Sequence, residues 1–449
     1  MARSARAQEE IRRFLDIGAV QVAELDLDGD EAVLRPGPGS PPVTHGEVFV
    51  LVRRSGRPVG TLLGRVPEGA DAKAVLAARA RAECAAARGG EPGDGGGAGE
   101  GSEAREGRGP GQAREAGEPP YTSVVVATRE RAGQLARALD SLLAQDHPRF
   151  EIVVVDNAPV TSETRELIER KYAERVRYVR EPVPGLAVAH NTGLAAVRGE
   201  VVAFTDDDVV ADPSWLTELT APFAADPGLG CSTGLILPAR LTTPAQVLLE
   251  SHGGFAKGFT PRTYDPARPP GDEPLFPFTA GRFGSGANMA FRTAALRSVG
   301  GFDPATGAGT AARGGDDLYG FVRVLAQGHR LRYTPSALVW HHHRETWQDL
   351  ETQAYGYGAG LTAYLTAVLV NRPALLPAFL AKLPRGLAHA RALTAVRETE
   401  GGGAPGDHDT RTHPWPRRLS RLQRRGMVYG PVGYLRARRA LRTRGEGAR

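Results

Sequence analysis

The sequence predicts an α/β fold built on a mostly parallel sheet. Three short runs rich in β-branched residues are typical of strands buried on both faces: 123–127, 152–155 and 201–205. Leucines at helical spacing follow the first run, and helices are expected over about 162–174 and 185–197, with a strand around 177–179 between them. Strands that alternate with helices form a parallel sheet covered on both sides.

Polar residues stand at the ends of these strands. Thr128 and Glu130 follow the first strand, Asp156 follows the second, and the triplet 206–208 ends the third. In open α/β sheets ligands bind beyond the carboxyl ends of the strands. We therefore expect the three clusters to share one crevice.

The triplet Asp206-Asp207-Asp208 predicts a cation site. Adjacent carboxylates repel one another, so a buried strand rarely ends in three of them without a positive charge nearby. Extended backbone sends Asp206 and Asp208 to the same side. Oxygen ligands of this kind suit Mg²⁺ or Mn²⁺. The triplet alone leaves open the alternative of a solvated turn.

The chain is predicted to have four parts. Residues 1–87 form a small accessory α+β domain, in which Ser55-Gly56 joins two strand-like runs, and residues 88–120 are a flexible Gly/Pro/Glu-rich linker. Residues 121–350 hold the α/β domain, and 351–449 form a helical C-terminal extension with an arginine-rich tail. The apolar stretch 359–380 is interrupted at 371–373, which favours a helical subdomain over a membrane-spanning helix.

Composition excludes some classes of protein. The two cysteines provide neither a disulfide framework nor a cysteine metal site. The N-terminus lacks the apolar core of a signal peptide, so a cytoplasmic protein is expected. From Arg411 onward the chain has twelve arginines and one acidic residue, and this tail suits an anionic membrane surface, nucleic acid or solvent.

Over residues 121–360 the sequence resembles the family 2 glycosyltransferases of the GT-A fold. The resemblance rests on ordered motifs: 124–131 (Val-Val-Val-Ala-Thr-Arg-Glu-Arg), 151–159 with its Asp-Asn, 185–193 with its His-Asn, the Asp triplet as the Asp-x-Asp motif, 286–292, 300–303 and Asp316-Asp317 before Gly328. His190 stands where the family commonly has Arg, and Tyr319 where it often has another acid.

This resemblance implies roles for individual residues. The nucleotide-sugar would be held by Thr128, Glu130, Asp156, Asn191, Asp206 and Asn288. Asp206, Asp208 and His341 would hold Mg²⁺ or Mn²⁺, Asp317 would be the general base, and Asp316 would orient the acceptor. Each has a structural alternative: Asp156, Asp316 and Asp317 suit helix starts, and a histidine at a strand end is often structural.

The predicted function is a metal-dependent inverting glycosyltransferase that moves a sugar, expected to be UDP-linked, to a hydroxyl of a glycan or lipid-linked acceptor. Peripheral membrane contact through the basic tail is expected, and a nucleic-acid partner is not. One alternative is a sugar nucleotidyltransferase, although residues 128–133 are poor in the glycine that such a phosphate loop needs. The other alternative is a non-catalytic scaffold that binds membrane or nucleic acid.

Overall fold

The computed structural model describes residues 14–28, 31–89, 118–252, 254–398 and 415–447. Most of the predicted linker lies outside these residues. The strands are β1 (Gln21–Asp26), β2 (Val33–Pro36), β3 (Gly46–Arg54), β4 (Arg57–Val66), β5 (Thr122–Thr128), β6 (Phe150–Asn157), β7 (Val176–Glu181), β8 (Val201–Asp206), β9 (Val209–Ala211), β10 (Leu229–Pro238), β11 (Arg262–Tyr264), β12 (Met289–Arg292) and β13 (Arg330–His341).

Helices connect and cover these strands. They are α1 (Ala72–Gly89), α2 (Ala132–Leu143), α3 (Glu163–Leu167, continued by π-turns over Ile168–Tyr172), α4 (Leu186–Ala196), α5 (Trp215–Ala225), α6 (Pro244–Ser251), α7 (Thr293–Ser298), α8 (Asp316–Ala326), α9 (Trp347–Asn371), α10 (Leu376–Glu398) and α11 (Arg417–Gly447). The helices expected over 162–174 and 185–197 correspond to α3 and α4.

The central sheet has the order β11-β13-β10-β12-β8-β5-β6-β7, and β9 pairs with β13. Its pairings are parallel from β8 through β7 and between β10 and β13, whereas β12 runs antiparallel to both of its neighbours. Apolar side chains fill both faces, because the strands are buried under helices on each side. The predicted α/β fold is confirmed.

A separate four-stranded sheet, β2-β1-β3-β4, lies near the N-terminus and packs against α1. The predicted hairpin is β3 and β4, with Ser55 and Gly56 at positive φ in the turn. The other face of this sheet joins a core with β10 and β13 through Val22, Leu51 and Trp340. The N-terminal sheet is therefore attached directly to the central one.

The C-terminal helices α9 and α11 pack closely and run parallel. Glycines allow this approach: a Cβ on Gly358 would lie 1.9 Å from the Gln423 carbonyl oxygen, and one on Gly426 would lie 2.1 Å from that of Tyr355. The arginine-rich tail is thus a helix with one face in the core, where Tyr434 is fully buried.

Within the described residues, no single helix is both long and apolar enough to cross a bilayer. The pair Trp347–Asn371 and Pro373–Gly386 meets the length and composition requirement only when taken together, and its two members are bent by 111°.

Candidate active site

Parallel pairing brings the predicted polar clusters to one edge of the sheet. Ala127 of β5 lies beside Asp206 of β8, and Thr128 lies beside Asp156 of β6. The carboxyl end of β13, which pairs with β9, brings His341 to the same edge. The three strand ends predicted from the sequence therefore lie at one edge, and β13 adds a fourth.

Asp206, Asp208 and His341 form a candidate metal centre. One ligand atom from each lies within 4.8 Å of the others. Burial and the Asp208 carboxylate raise the pKa of Asp206 to about 7. Against burial, His341 and Arg131 hold the pKa of Asp208 below its ordinary value, and His341 Nε2 lies 3.2 Å from Asp208 Oδ1. Two carboxylates and an imidazole in this arrangement fit a divalent cation.

Asp207 is not part of this cluster and lies in the turn between β8 and β9. Its Oδ2 accepts a 2.6 Å hydrogen bond from Thr128, and its Oδ1 lies 3.1 Å from Arg131, which also reaches Asp208 Oδ2 at 3.3 Å. The sequence interpretation did not include Arg131. The signal was available, because three buried carboxylates need a cation and Arg131 follows the neighbouring strand.

A chain of polar groups extends inward from His341. Its Nδ1 lies 3.3 Å from Nδ1 of His343, and Nε2 of His343 lies 3.0 Å from Glu250 Oε2 on α6. Phe255 packs on both imidazole rings. This arrangement fixes the His341 ring with Nε2 towards Asp208. Glu250 was not predicted from the sequence either, because it lies 93 residues from His343 and no local pattern connects the two.

Asp317, the predicted base, lies in the first turn of α8. Its Oδ2 accepts a hydrogen bond from the Gly286 N–H at 2.9 Å, and its Oδ1 accepts one from the Leu318 N–H at 2.8 Å. Burial and the Asp316 carboxylate raise the pKa of Asp317 to about 6, although these N–H groups oppose the shift. The charge of His190 acts weakly in the opposite direction on the pKa of both Asp317 and Asp206.

The structure places Asp316 beside His190. It is 4% exposed, and its Oδ2 lies 3.2 Å from Nδ1 of His190, which packs between Phe204 and Phe302. The Asp316 carboxylate also raises the pKa of Asp317. The predicted role of Asp316 in orienting the acceptor stays a prediction.

Asp156 is fully buried at the end of β6. Its Oδ2 accepts a hydrogen bond from the Tyr178 hydroxyl at 2.9 Å, while its Oδ1 has no partner among the described residues. Burial raises the pKa of Asp156. An unpaired carboxylate oxygen at a strand end suits a donor group of a ligand, such as an N–H of a base.

Glu130 is exposed and fastens the loop after β6. It accepts hydrogen bonds from the Val160 N–H at 2.8 Å and from the backbone and hydroxyl of Thr161. The N–H groups of Val160 and Thr161 lower its pKa. Its oxygens are therefore used to shape the mouth of the crevice.

Three residues predicted to contact the nucleotide-sugar have polar groups bonded within the protein. Thr128 is 3% exposed and its hydroxyl donates to Asp207. The side-chain amide of Asn191 both donates to and accepts from the backbone of Phe302, at 2.8 and 2.9 Å. Asn288 is fully buried: it accepts from Trp215 Nε1 and donates to two carbonyls. Their predicted contacts with the nucleotide-sugar stay predictions.

Part of the chain is similar to a known protein family. Residues 123–298 match the model for the family described as glycosyl transferase family 2. This region therefore resembles a family 2 glycosyltransferase domain. The match includes Asp156, Asp206 and Asp208, whereas Asp317 and His341 lie beyond its last residue.

Relatives of this glycosyltransferase domain vary in length. Pre-mycofactocin glycosyltransferase of Mycobacterium tuberculosis is 28% identical over 242 residues, which are 53% of this chain and 46% of the relative. An uncharacterized protein y4gI of Sinorhizobium fredii is 36% identical over 117 residues, which are 25% of this chain and 13% of the relative. The chain thus spans less than half the length of either relative.

Solved structures include the mannosyltransferase PcManGT from Pyrobaculum calidifontis in complex with GDP-Man and Mn²⁺. It is 20% identical, the alignment covers 70% of this chain and 87% of that one, and the TM-score is 0.44.

Proposed function

We propose that this protein is a metal-dependent, inverting glycosyltransferase that moves a sugar from a nucleotide-sugar to a hydroxyl of a glycan or lipid-linked acceptor. The observation that carries the proposal is the cluster of Asp206, Asp208 and His341 within 4.8 Å at the sheet edge that also holds Asp156. The family 2 match supports the same reaction class.

The donor set favours Mn²⁺ over Mg²⁺. Carboxylate oxygens suit both ions, but the imidazole nitrogen of His341 is a poorer ligand for the harder Mg²⁺. Burial and the Asp208 carboxylate both raise the pKa of Asp206, and a bound cation would favour its charged form. A bound divalent ion would supply charge neutralisation for the departing nucleoside diphosphate.

The carboxyl group that directs the nucleotide is that of Asp156. Its unpaired Oδ1 accepts a hydrogen bond from the base, while Tyr178 holds the other oxygen in place. We assign the hydrogen bond to an N–H of uracil. The expected sugar donor is therefore a UDP-sugar. A base without a ring N–H in reach leaves this oxygen unpaired, at a cost of about 1–3 kcal/mol.

Asp317 acts as the general base. A sugar hydroxyl is a very weak acid, so its proton has to pass to a positioned acceptor as its oxygen bonds to the anomeric carbon. With a pKa of about 6, Asp317 is deprotonated at neutral pH and basic enough to take that proton. The bond from the anomeric carbon to the phosphate oxygen breaks, and its electron pair leaves with the nucleoside diphosphate. This single displacement inverts the anomeric centre.

A panel of nucleotide-sugars tests the proposal. Each donor is incubated with the purified protein in Mn²⁺, in Mg²⁺ and after chelation, and release of the nucleoside diphosphate is measured. We expect release from UDP-sugars in Mn²⁺ and none after chelation. Turnover that is unchanged by chelation would contradict the metal assignment, and release of pyrophosphate from nucleoside triphosphate would favour a nucleotidyltransferase.

A further inference from the structure

Helix α11 has one face whose residues are all exposed. Its opposite face is buried through Leu419, Tyr434 and Ala437. The uncovered side, here called the arginine face, occupies about a third of the helix circumference at 3.6 residues per turn. It consists of Arg417, Arg418, Arg421, Arg424, Arg425, Val428, Val432, Leu435, Arg436, Arg439 and Arg442, all exposed.

The arginine face is strongly basic. It carries eight arginines and no acidic residue. Arg418 pairs with Glu351 of α9, but within the described part of the chain Arg421, Arg425, Arg439 and Arg442 have no ion pair. Charges that are unpaired on one side of a helix attract a polyanionic surface.

Aliphatic side chains stand at the centre of this face. Val428, Val432 and Leu435 are 82%, 46% and 55% exposed, on successive turns between two groups of arginines. Aliphatic groups so exposed gain nothing from a nucleic-acid backbone, whose contacts are charged and polar. They gain from the boundary between lipid headgroups and acyl chains, where apolar side chains enter and basic ones pair with phosphates.

We propose that the arginine face docks the protein on an anionic bilayer surface. The helix lies along the surface, Val428, Val432 and Leu435 enter it, and the arginines on either side contact lipid phosphates. The opposite side of α11 holds the glycine-packed contact with α9, so docking leaves the fold unchanged. This inference does not depend on the proposed reaction.

Co-sedimentation of the full-length protein with vesicles tests the inference. One set of vesicles is phosphatidylcholine alone, and the other contains equal parts of phosphatidylcholine and phosphatidylglycerol. We expect binding to the anionic set only, with a loss at raised ionic strength. Replacement of Arg421, Arg425, Arg436 and Arg439 by Gln should weaken binding by about a thousandfold, at about 1 kcal/mol per arginine. The matched control replaces four arginines that are exposed outside α11 by Gln: Arg54, Arg57, Arg65 and Arg170. This control should bind as the wild type does.

A second variant, V428S/V432S/L435S, separates a bilayer from other polyanions. It keeps every arginine, so it should bind duplex DNA as the wild type does but bind anionic vesicles more weakly. Vesicle binding unchanged in this variant, or equal to that of the wild type in the arginine variant, would overturn the proposal. Circular dichroism of each variant establishes that α11 remains folded.

Discussion

At the scale of single residues, we expect the pKa of Asp317 to govern the pH dependence of the proposed reaction. Burial and Asp316 raise that pKa to about 6, and only the deprotonated form accepts a proton. At saturating Mn²⁺, kcat/KM should therefore fall about tenfold per pH unit below 6 and be insensitive to this group above 7.

The Asp316→Asn variant probes the cause of this shift. Removing the neighbouring charge should lower the pKa of Asp317 and move the acid limb of the profile to lower pH. Asp226→Asn, in a surface ion pair with Arg330 away from the crevice, is the control. An acid limb that stays in place in Asp316→Asn would contradict electrostatic coupling between the two carboxylates.

The chain from His341 through His343 to Glu250 gives a prediction about metal affinity. Residues that hydrogen-bond to a metal ligand and orient it typically change the metal affinity by about 10–100-fold when they are mutated. Glu250→Gln should therefore weaken Mn²⁺ binding by about tenfold, and Asp208→Asn by more, as measured by calorimetry. The exposed Glu174→Gln is the control. Equal affinity in Glu250→Gln would show that His341 is held in place without it.

Local sequence patterns predicted which residues gather in the crevice better than they predicted what each one contacts. Strand alternation predicted that Asp206 and Asp208 share a site without Asp207, but β8 ends at Asp206, so the turn that follows the strand produces this grouping. The contacts of Asn191 and Asn288 do not follow from the sequence alone, because their partners Phe302 and Trp215 lie 111 and 73 residues away. A side-chain amide can form hydrogen bonds with buried backbone groups as well as with a ligand. The residue type alone therefore could not decide between these two roles.

At the scale of elements, the glycines between α9 and α11 give a stability prediction. In Gly426→Ala the new Cβ would lie 2.1 Å from the Tyr355 carbonyl oxygen, and backbone cannot rotate away. We expect the helices to be forced apart, at a cost of about 1–3 kcal/mol, with a lower melting temperature.

Gly133→Ala in α2 is the matched control for this change. No atom lies within 4 Å of a Cβ at that position, so alanine should stabilise the helix by about 0.5–1 kcal/mol. A Gly426→Ala protein that melts as high as the wild type would mean that α9 and α11 are not packed this closely.

The elements that the sequence predicted have a strong local signal, and those it missed do not. Ser55-Gly56 marks the β3–β4 turn, since both residues take positive φ there. The short edge strand β2 is largely exposed, so it has no buried face to produce a pattern. For α11 the helix was expected, but its packing on α9 depends on glycines about 70 positions apart in the chain, such as Gly358 and Gly426.

At the scale of the whole molecule, Arg53 links the N-terminal sheet to the central sheet. It pairs with Glu24 at 2.7 Å and with Asp212 at 2.5 Å, and its side chain is 9% exposed. Arg53→Ala leaves the two partly buried carboxylates without this cation, although Asp212 keeps its hydrogen bonds from Ser214. We expect the free energy of unfolding to fall by about 1–3 kcal/mol.

The loss in Arg53→Ala should be smaller at low pH. Burial already raises the pKa of Glu24, and removal of Arg53 raises it further, so acid converts the carboxylate to its neutral form. The exposed Arg54→Ala is the control and should melt as the wild type. Equal stability of Arg53→Ala and Arg54→Ala at neutral pH would contradict a structural link between the two sheets.

The most direct test of the proposed function compares donor binding and sugar transfer in the Asp317→Asn protein. In Mn²⁺, calorimetry gives the affinity for the donor identified in the panel, and nucleoside diphosphate release gives turnover. We predict unchanged affinity and a turnover lower by about 10²–10⁴-fold, because the metal and nucleotide sites remain while the base is lost. Full turnover in this variant would contradict the account.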